Sequence, residues 1–368
     1  MAEQKSLDTQ MWNALRDPDI KKAFKGLVEA LDLGANPNAV YTDHHGDTWT
    51  PLSYITDNLH VSSPDFNYQE RMVTLLVDRG ANINVRCTGH NMTPLMSAVD
   101  WDAFNIVKFL LNNGANVNDI WHYEFIDRVF GRDISRGWDN RSVLGFARTP
   151  KMLKLLLEHG ANPDKGSTET GDYPLHMVCE WLAYTNAPDE PLQMLKLLLE
   201  YGANPNVYTL KLLTPMMIIC GATDKDMYKA SSDTKLAVIK LLFEHGANIN
   251  ADSYGRTALW FAARSEDWSV VKSLAFNGGV MSIGHVSGLS EEIKQRALAI
   301  IKDVDEYKEE QRRQEALKAK TTWHSISEQK IADLQQEKMA DLQQGQKIVD
   351  AMGKAKIGNI HKLDKRFM

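Results

Sequence analysis

Few cysteines, no long apolar run and no strong excess of either charge mark this sequence, and each shortage narrows what the chain does. Its three cysteines, Cys87, Cys179 and Cys220, lie far apart with no C-x-x-C pair. That argues against a disulfide framework or a cysteine metal set, and reads as small buried thiols in a reducing compartment. No run approaches the ~18 apolar residues of a membrane span, and no signal peptide opens the chain. A soluble, cytoplasmic protein without membrane partners is expected. A net charge of −6 and a pI near 6 argue against bulk attraction to nucleic acid. Phosphate loops, nucleophile elbows, zinc-protease helices and kinase motifs are missing as well, so neither an enzyme nor a cofactor is expected. Asp43-His44-His45-Gly46-Asp47 has the composition of a metal site. Adjacent histidines are expected to point apart, however, and no helical i, i+4 partner follows, so no metal is expected there.

What is present is repetition. Gly-Ala-Asn begins at Gly34, Gly80, Gly114, Gly160, Gly202 and Gly246, each time after a Leu-rich run such as Met152-Leu153-Lys154-Leu155-Leu156-Leu157. A glycine there ends a helix in the left-handed conformation, and the asparagine suits the turn that follows. Downstream stands a second signature: Thr50-Pro51-Leu52, Thr93-Pro94-Leu95, Tyr173-Pro174-Leu175, Thr214-Pro215-Met216 and Thr257-Ala258-Leu259, with Ser142-Val143-Leu144 as a degenerate copy. Thr caps a helix and Pro suits its first position. Each unit therefore reads as a capped helix, a turn, an apolar helix, a glycine stop and a loop.

These units resemble the ankyrin repeat family, whose period is about 33 residues with a T-P-L-H-x-A signature. The match is closest at Asp252–Leu259 followed by Ala262-Ala263, and it covers residues 6–285 but not the chain beyond. The resemblance implies an all-α ankyrin-repeat solenoid of helix-turn-helix-loop units, about seven repeats, followed by C-terminal helices. It implies that His176, at the signature histidine, bridges neighbouring repeats, whereas Ser53, Met96 and Met217 occupy that place elsewhere. It also implies protein binding on a concave face of first helices and loop tips, with tip positions at Trp49, Met92, Asp172, Leu213, Ser253, Tyr254 and Arg256. Leu210, Leu212 and Leu213 make one tip unusually apolar.

The domain division expected is an array over 1–288, with insertions near 57–67, 119–139, 181–190 and 222–233, and a charged helical extension over 289–368. The insertion 119–139 carries Trp121, Tyr123, Phe125, Arg132 and Trp138. Its alternation suits an extended hairpin, and a short helix with Tyr123, Ile126 and Phe130 on one side also fits. Two roles stand open: a binding finger of residue types that dominate interfaces, or aromatics folded back to fill a gap between repeats.

Beyond 286 the chain turns charged and helical, with a stripe of Ile293, Ala297, Ile300, Ile301, Val304 and Tyr307 whose first turns would pack on the last repeat. Ala332-Asp333-Leu334-Gln335-Gln336 returns at Ala340–Gln344. The stripe Ile331, Leu334, Met339, Leu342 and Ile348 is sparse for a coiled coil; it reads either as a self- or partner-pairing helix or as a solvated one. Residues 354–368 form a basic tail.

The function expected is a non-enzymatic module that holds or masks a protein partner, in a sharper version an effector or inhibitor carried by a virus, phage or intracellular bacterium. Its candidate partner-binding residues are Trp49, Trp121, Tyr123, Phe125, Arg132, Trp138, Trp181, Tyr184, Tyr254 and Arg256. The competing readings are an effector or toxin active through the C-terminal helices, and a nucleic-acid adaptor acting through the basic tail.

Overall fold

The computed structural model describes residues 2–63, 65–88, 90–129, 132–166, 173–222, 230–281 and 288–363; at 2, 123–129, 132–140, 320–328, 349 and 351–363 it describes the backbone alone. The chain divides into two compact units, Met1–Ile301 and Lys302–Met368. Among the described residues no helix is long and apolar enough to cross a membrane.

The first unit is a stack of helix pairs. The opening pair is α1 (Ala2–Leu15) and α2 (Ile20–Asp32), followed by a small ribbon, β1 (Tyr41–Thr42) with β2 (Thr48–Trp49). Next come α3 (Pro51–Asp57) with α4 (Phe66–Asp78), and α5 (Pro94–Asp100) with α6 (Phe104–Asn112). A hairpin of β3 (Ile120–Val129) and β4 (Arg132–Ser142) leads into a single 3-10 turn, Val143–Phe146, and α7 (Pro150–Glu158). The pairs α8 (Pro174–Tyr184) with α9 (Asp189–Glu200), α10 (Pro215–Met217) with α11 (Ser232–Glu244), and α12 (Ala258–Arg264) with α13 (Trp268–Phe276) complete the stack. The all-helical solenoid is thus realised, with the 119–139 insertion taking the hairpin alternative rather than the helical one. Part of the 222–233 insertion, residues 223–229, lies outside the described residues.

Local chemistry explains where most of these helices begin. The hydroxyls of Thr50, Thr93, Thr149 and Thr214 accept hydrogen bonds from the backbone N–H of Ser53, Met96, Met152 and Met217, each with proline at the next position. Three of the signature starts depart from that rule. Ser142 and Tyr173 make no side-chain cap, and the Thr257 hydroxyl instead donates to Val280 O at 2.8 Å. The apolar stripes then face inward: Leu52, Leu76, Leu95, Val107, Leu110, Met152, Leu156, Leu198, Leu242, Leu259 and Leu274 are all buried.

The repeats are joined by an asparagine ladder. Asn38 donates through Nδ2 to Gly80 O at 2.9 Å and accepts through Oδ1 from Asn82 N at 2.6 Å. Asn84, Asn118, Asn206 and Asn250 repeat this two-armed bond to the following repeat. At the first Gly-Ala-Asn the partners are different side chains. There Gln4 donates to Gly34 O and Asp8 accepts from Asn36 N, so α1 closes the ladder with two side chains. Asp164 breaks the pattern, because a carboxylate accepts from Asn204 N at 2.8 Å but has no amide to donate.

A single continuous helix, α14 (Glu291–Leu363), carries the C-terminal extension. Its first turns belong to the array unit: Ala297 is buried and the Arg296 guanidinium lies 4.4 Å over the Trp268 ring, as expected of a capping element. Within the second unit Leu317, Ile331, Leu334, Met339, Leu342 and Ile348 are exposed.

Candidate partner-binding surface

The loop tips are where the sequence placed most of its candidates, and the fold sorts them into three groups. One group turns inward. Trp49 is buried, its indole N–H donates to Asp43 Oδ2 at 3.0 Å, and its ring meets Tyr54 and His90 edge-on. That indole bond holds the Asp43 carboxyl below its ordinary range against the opposing effect of burial, with the Asp47 and His45 backbones adding to it. Trp49 is therefore a brace between tips and not the exposed tip residue expected. The neighbouring histidines also differ from expectation, since the His44 and His45 rings lie side by side, centroids 3.8 Å apart. Among the described residues, no three His, Cys, Asp or Glu side chains converge as a metal site would require.

The hairpin forms the second group. Its strands pair antiparallel from Ile120↔Ser142 to Val129↔Arg132, with an irregularity between Asp127 and Arg128. By register Trp121, Tyr123 and Phe125 stand opposite Arg141, Asp139 and Gly137. At the base Trp121 packs on the array: its Nε1 donates to His90 O at 2.6 Å, its ring meets Phe146 edge-on, and the Arg141 guanidinium lies 5.2 Å over the Phe146 ring. The root of the hairpin is thus in contact with the third and fourth repeats. The side chains of Tyr123, Phe125, Arg132 and Trp138 lie outside the described residues.

The third group faces outward. Tyr254 is 70% exposed and Leu210 61% exposed, with Tyr208 and Leu212 also exposed beside them. The two tips touch, because Ser253 Oγ donates to Lys211 O at 3.3 Å. Leu212 and Tyr254 both hold left-handed backbones, φ 56° and 52°, a conformation that costs a residue with a Cβ roughly 1–2 kcal/mol. Arg256 is half-buried over the Trp260 ring at 4.9 Å, while Leu213 turns in and offers its carbonyl to His176 Nε2 at 3.1 Å. The apolar tip expected from the sequence is therefore split, two leucines out and one in. Trp181 is 37% exposed at the far end of α8, near the half-buried Tyr184, on the turn side of the stack.

The family profile described as "Ankyrin repeats (3 copies)" matches residues 20–120 and again 181–282. The chain belongs to the ankyrin repeat family. Among solved structures it is similar to the ankyrin repeat domain of Bcl-3, described as a unique member of the IkappaB protein family. That likeness has a TM-score of 0.49 and 22% identity, covering 69% of this chain and 98% of that domain. It is also similar to an ankyrin repeat domain from Acinetobacter baumannii, with a TM-score of 0.46 and 19% identity, covering 62% of this chain and 98% of that one. No curated protein matches the chain. Ankyrin repeats generally mediate protein–protein interaction and are in general non-enzymatic scaffolds, so protein partners follow from membership.

Sequence reasoning missed Tyr208, which lies two residues before the Leu210 that opens the tip signal it used. It also missed the second asparagine of each Gly-Ala-Asn-x-Asn, visible at Asn38, Asn84, Asn118, Asn206 and Asn250 as a letter pattern but without a role until the repeats are stacked.

Proposed function

We propose that this ankyrin repeat protein holds or masks a protein partner through the tips of its sixth and seventh repeats. The observation that carries the reading is the adjoining pair of tips with Tyr208, Leu210, Leu212 and Tyr254 exposed, two of them on left-handed backbones. Strain maintained under exposed apolar side chains fits a preformed contact surface better than a solvent-facing turn. Lys211 and Arg256 at the same tips suit a partner segment that mixes apolar and acidic residues. The hairpin adds a second contact beyond its packed root. In this reading residues 1–288 are the binding part and 289–368 a helical extension whose first turns pack on it. The uneven repeats and inserted loops are what supports the sharper version, an effector or inhibitor of another organism's protein.

The test is affinity capture with the full chain and with residues 1–288 as baits, beside a Leu210→Asp/Tyr254→Ala double variant of the full chain. The expected result is one protein retained by both wild-type baits and lost with the variant. Retention by the full chain alone would move the interaction to the C-terminal helix. Retention by the variant would remove the tips from the reading.

A further inference from the structure

The fourth repeat is cut short in a way that leaves a cavity, and the cavity is separate from the tips. Its span from Ser142 to Gly160 is about one helical turn shorter than that of the third repeat, Thr93 to Gly114. The missing turn falls in the first helix: where α5 runs from Pro94 to Asp100, the fourth repeat has only the 3-10 turn Val143–Phe146. At the signature histidine position it also has the smallest residue, Gly145, where the neighbouring repeats carry Met96 and His176. A Cβ on Gly145 would lie 2.5 Å from Arg141 Cγ and 3.2 Å from Met177 Sδ.

What the absent turn would have covered is an open cavity of about 390 Å³ between the fourth and fifth repeats. Leu144, Met177, Val178, Trp181, Met194 and Leu198 line it, most of them buried. Trp181, among the few partly exposed tryptophans of the array, stands at its mouth. Two charged side chains reach the rim. Arg148 forms an ion pair with Asp100 at 2.7 Å, so its charge is matched. Glu190 is exposed at the opposite rim, with Asp189 beside it at the start of α9. The rim is therefore net acidic around an apolar floor.

We infer that this inter-repeat cavity is a second binding site, which takes a large apolar side chain of a partner segment flanked by lysine or arginine. The partner residue fills the space of the missing helical turn, burying its apolar surface against Met177, Trp181 and Leu198, while its basic neighbours face Glu190 and Asp189. An apolar cavity of several hundred Å³ with few polar groups is the usual form of such a site, and the carboxylates select the sign of what flanks the anchor.

The experiment uses the full chain and a fluorescein-labelled amphipathic peptide of leucine and lysine with one tryptophan, read by fluorescence anisotropy. A control peptide replaces every lysine by glutamate. The lysine peptide is expected to bind at least about tenfold more tightly than the control, and both Met177→Trp, which fills the cavity, and Glu190→Lys are expected to weaken it about tenfold. Leu210→Asp, at the tips, is expected to leave this binding unchanged, which keeps the inference distinct from the function proposed above. Equal binding of the two peptides overturns it, as does unchanged affinity in Glu190→Lys. Free indole that occupies the cavity without displacing the peptide overturns it too. Should Met177→Trp fail to fold, as judged by its thermal melt, Trp181→Ala serves in its place and must also weaken binding.

Discussion

At the scale of single residues, His176 shows what a signature side chain does when it is sealed between repeats. Burial, which disfavours the charged ring, brings its pKa down from 6.5 to about 4, although the bond to Leu213 O pulls the other way. An unfolded chain takes up the proton as pH falls through about 6.5, whereas the folded chain resists until about 4. The neutral ring's contribution is therefore complete above pH 6.5 and is lost as pH falls toward 4, an effect of about 3 kcal/mol. Thermal melts across that window should show the wild type losing stability more steeply than His176→Gln, which donates but does not titrate there. Gly221 is a second residue whose identity is forced. It sits at φ 107° in the π turn Ile218–Ala222, and a Cβ there would lie against the Ser265 hydroxyl. Gly221→Ala should cost about 2 kcal/mol or more in denaturant unfolding. Cys179 and Cys220 are buried thiols, burial pushing the latter up to about 12, in keeping with the small-hydrophobe reading of their spacing.

At the scale of elements, the bonds between neighbouring pairs decide the outcome. The asparagine ladder is exposed, so each rung is worth modest energy. Asn118→Ala removes both arms to Gly160 O and Asn162 N, and should lower stability by about 1–2 kcal/mol. Asp164→Asn should do the reverse, adding the missing donor toward the Gly202 carbonyl and raising the melting temperature slightly. Besides the Asn250 rung, the sixth and seventh pairs are held by a buried ion pair, Lys235 Nζ to Asp267 Oδ2 at 2.9 Å. Burial alone would raise the Asp267 pKa, but hydrogen bonds from Lys235, Ser269 and Ser232 outweigh it and hold the carboxyl below its ordinary range. Lys235→Met leaves that carboxylate buried without its cation, and urea unfolding should register a loss of about 3 kcal/mol. The starts and stops of these elements were legible in the letters, because Thr-Pro caps and glycine stops act within a few residues of themselves. The fourth first helix was not: Ser142-Val143-Leu144 looked like a worn cap, and only the missing turn beyond it reduces the helix to a 3-10 turn.

At the scale of the molecule, a solenoid has no single core, and its stability is close to a sum of repeats and their interfaces. The weakest link should then be the fourth repeat, which lacks a full first helix and borders a cavity. Native-state hydrogen exchange is expected to show amides of Val143–Glu158 opening at lower free energy than those of α5, α6, α8 and α9. Uniform protection across these repeats would contradict that.

The sequence by itself determined the period, the helix ends and the family, because those depend on backbone preferences and caps that operate over one turn of chain. It determined equally that the extension beyond 288 is charged and helical. Which aromatic braces the array and which one meets solvent was decided only when the repeats stacked. Trp49 and Tyr254 occupy the same kind of tip, yet the first closes on Asp43, Tyr54 and His90 while the second stands out from a left-handed turn. The same holds for the root of the hairpin and for the cavity beneath the fourth repeat. Contacts between repeats, His90 on the Trp49 ring and on the Trp121 indole among them, take part in these outcomes, and a distance of that kind is set by packing, which no local pattern of letters encodes.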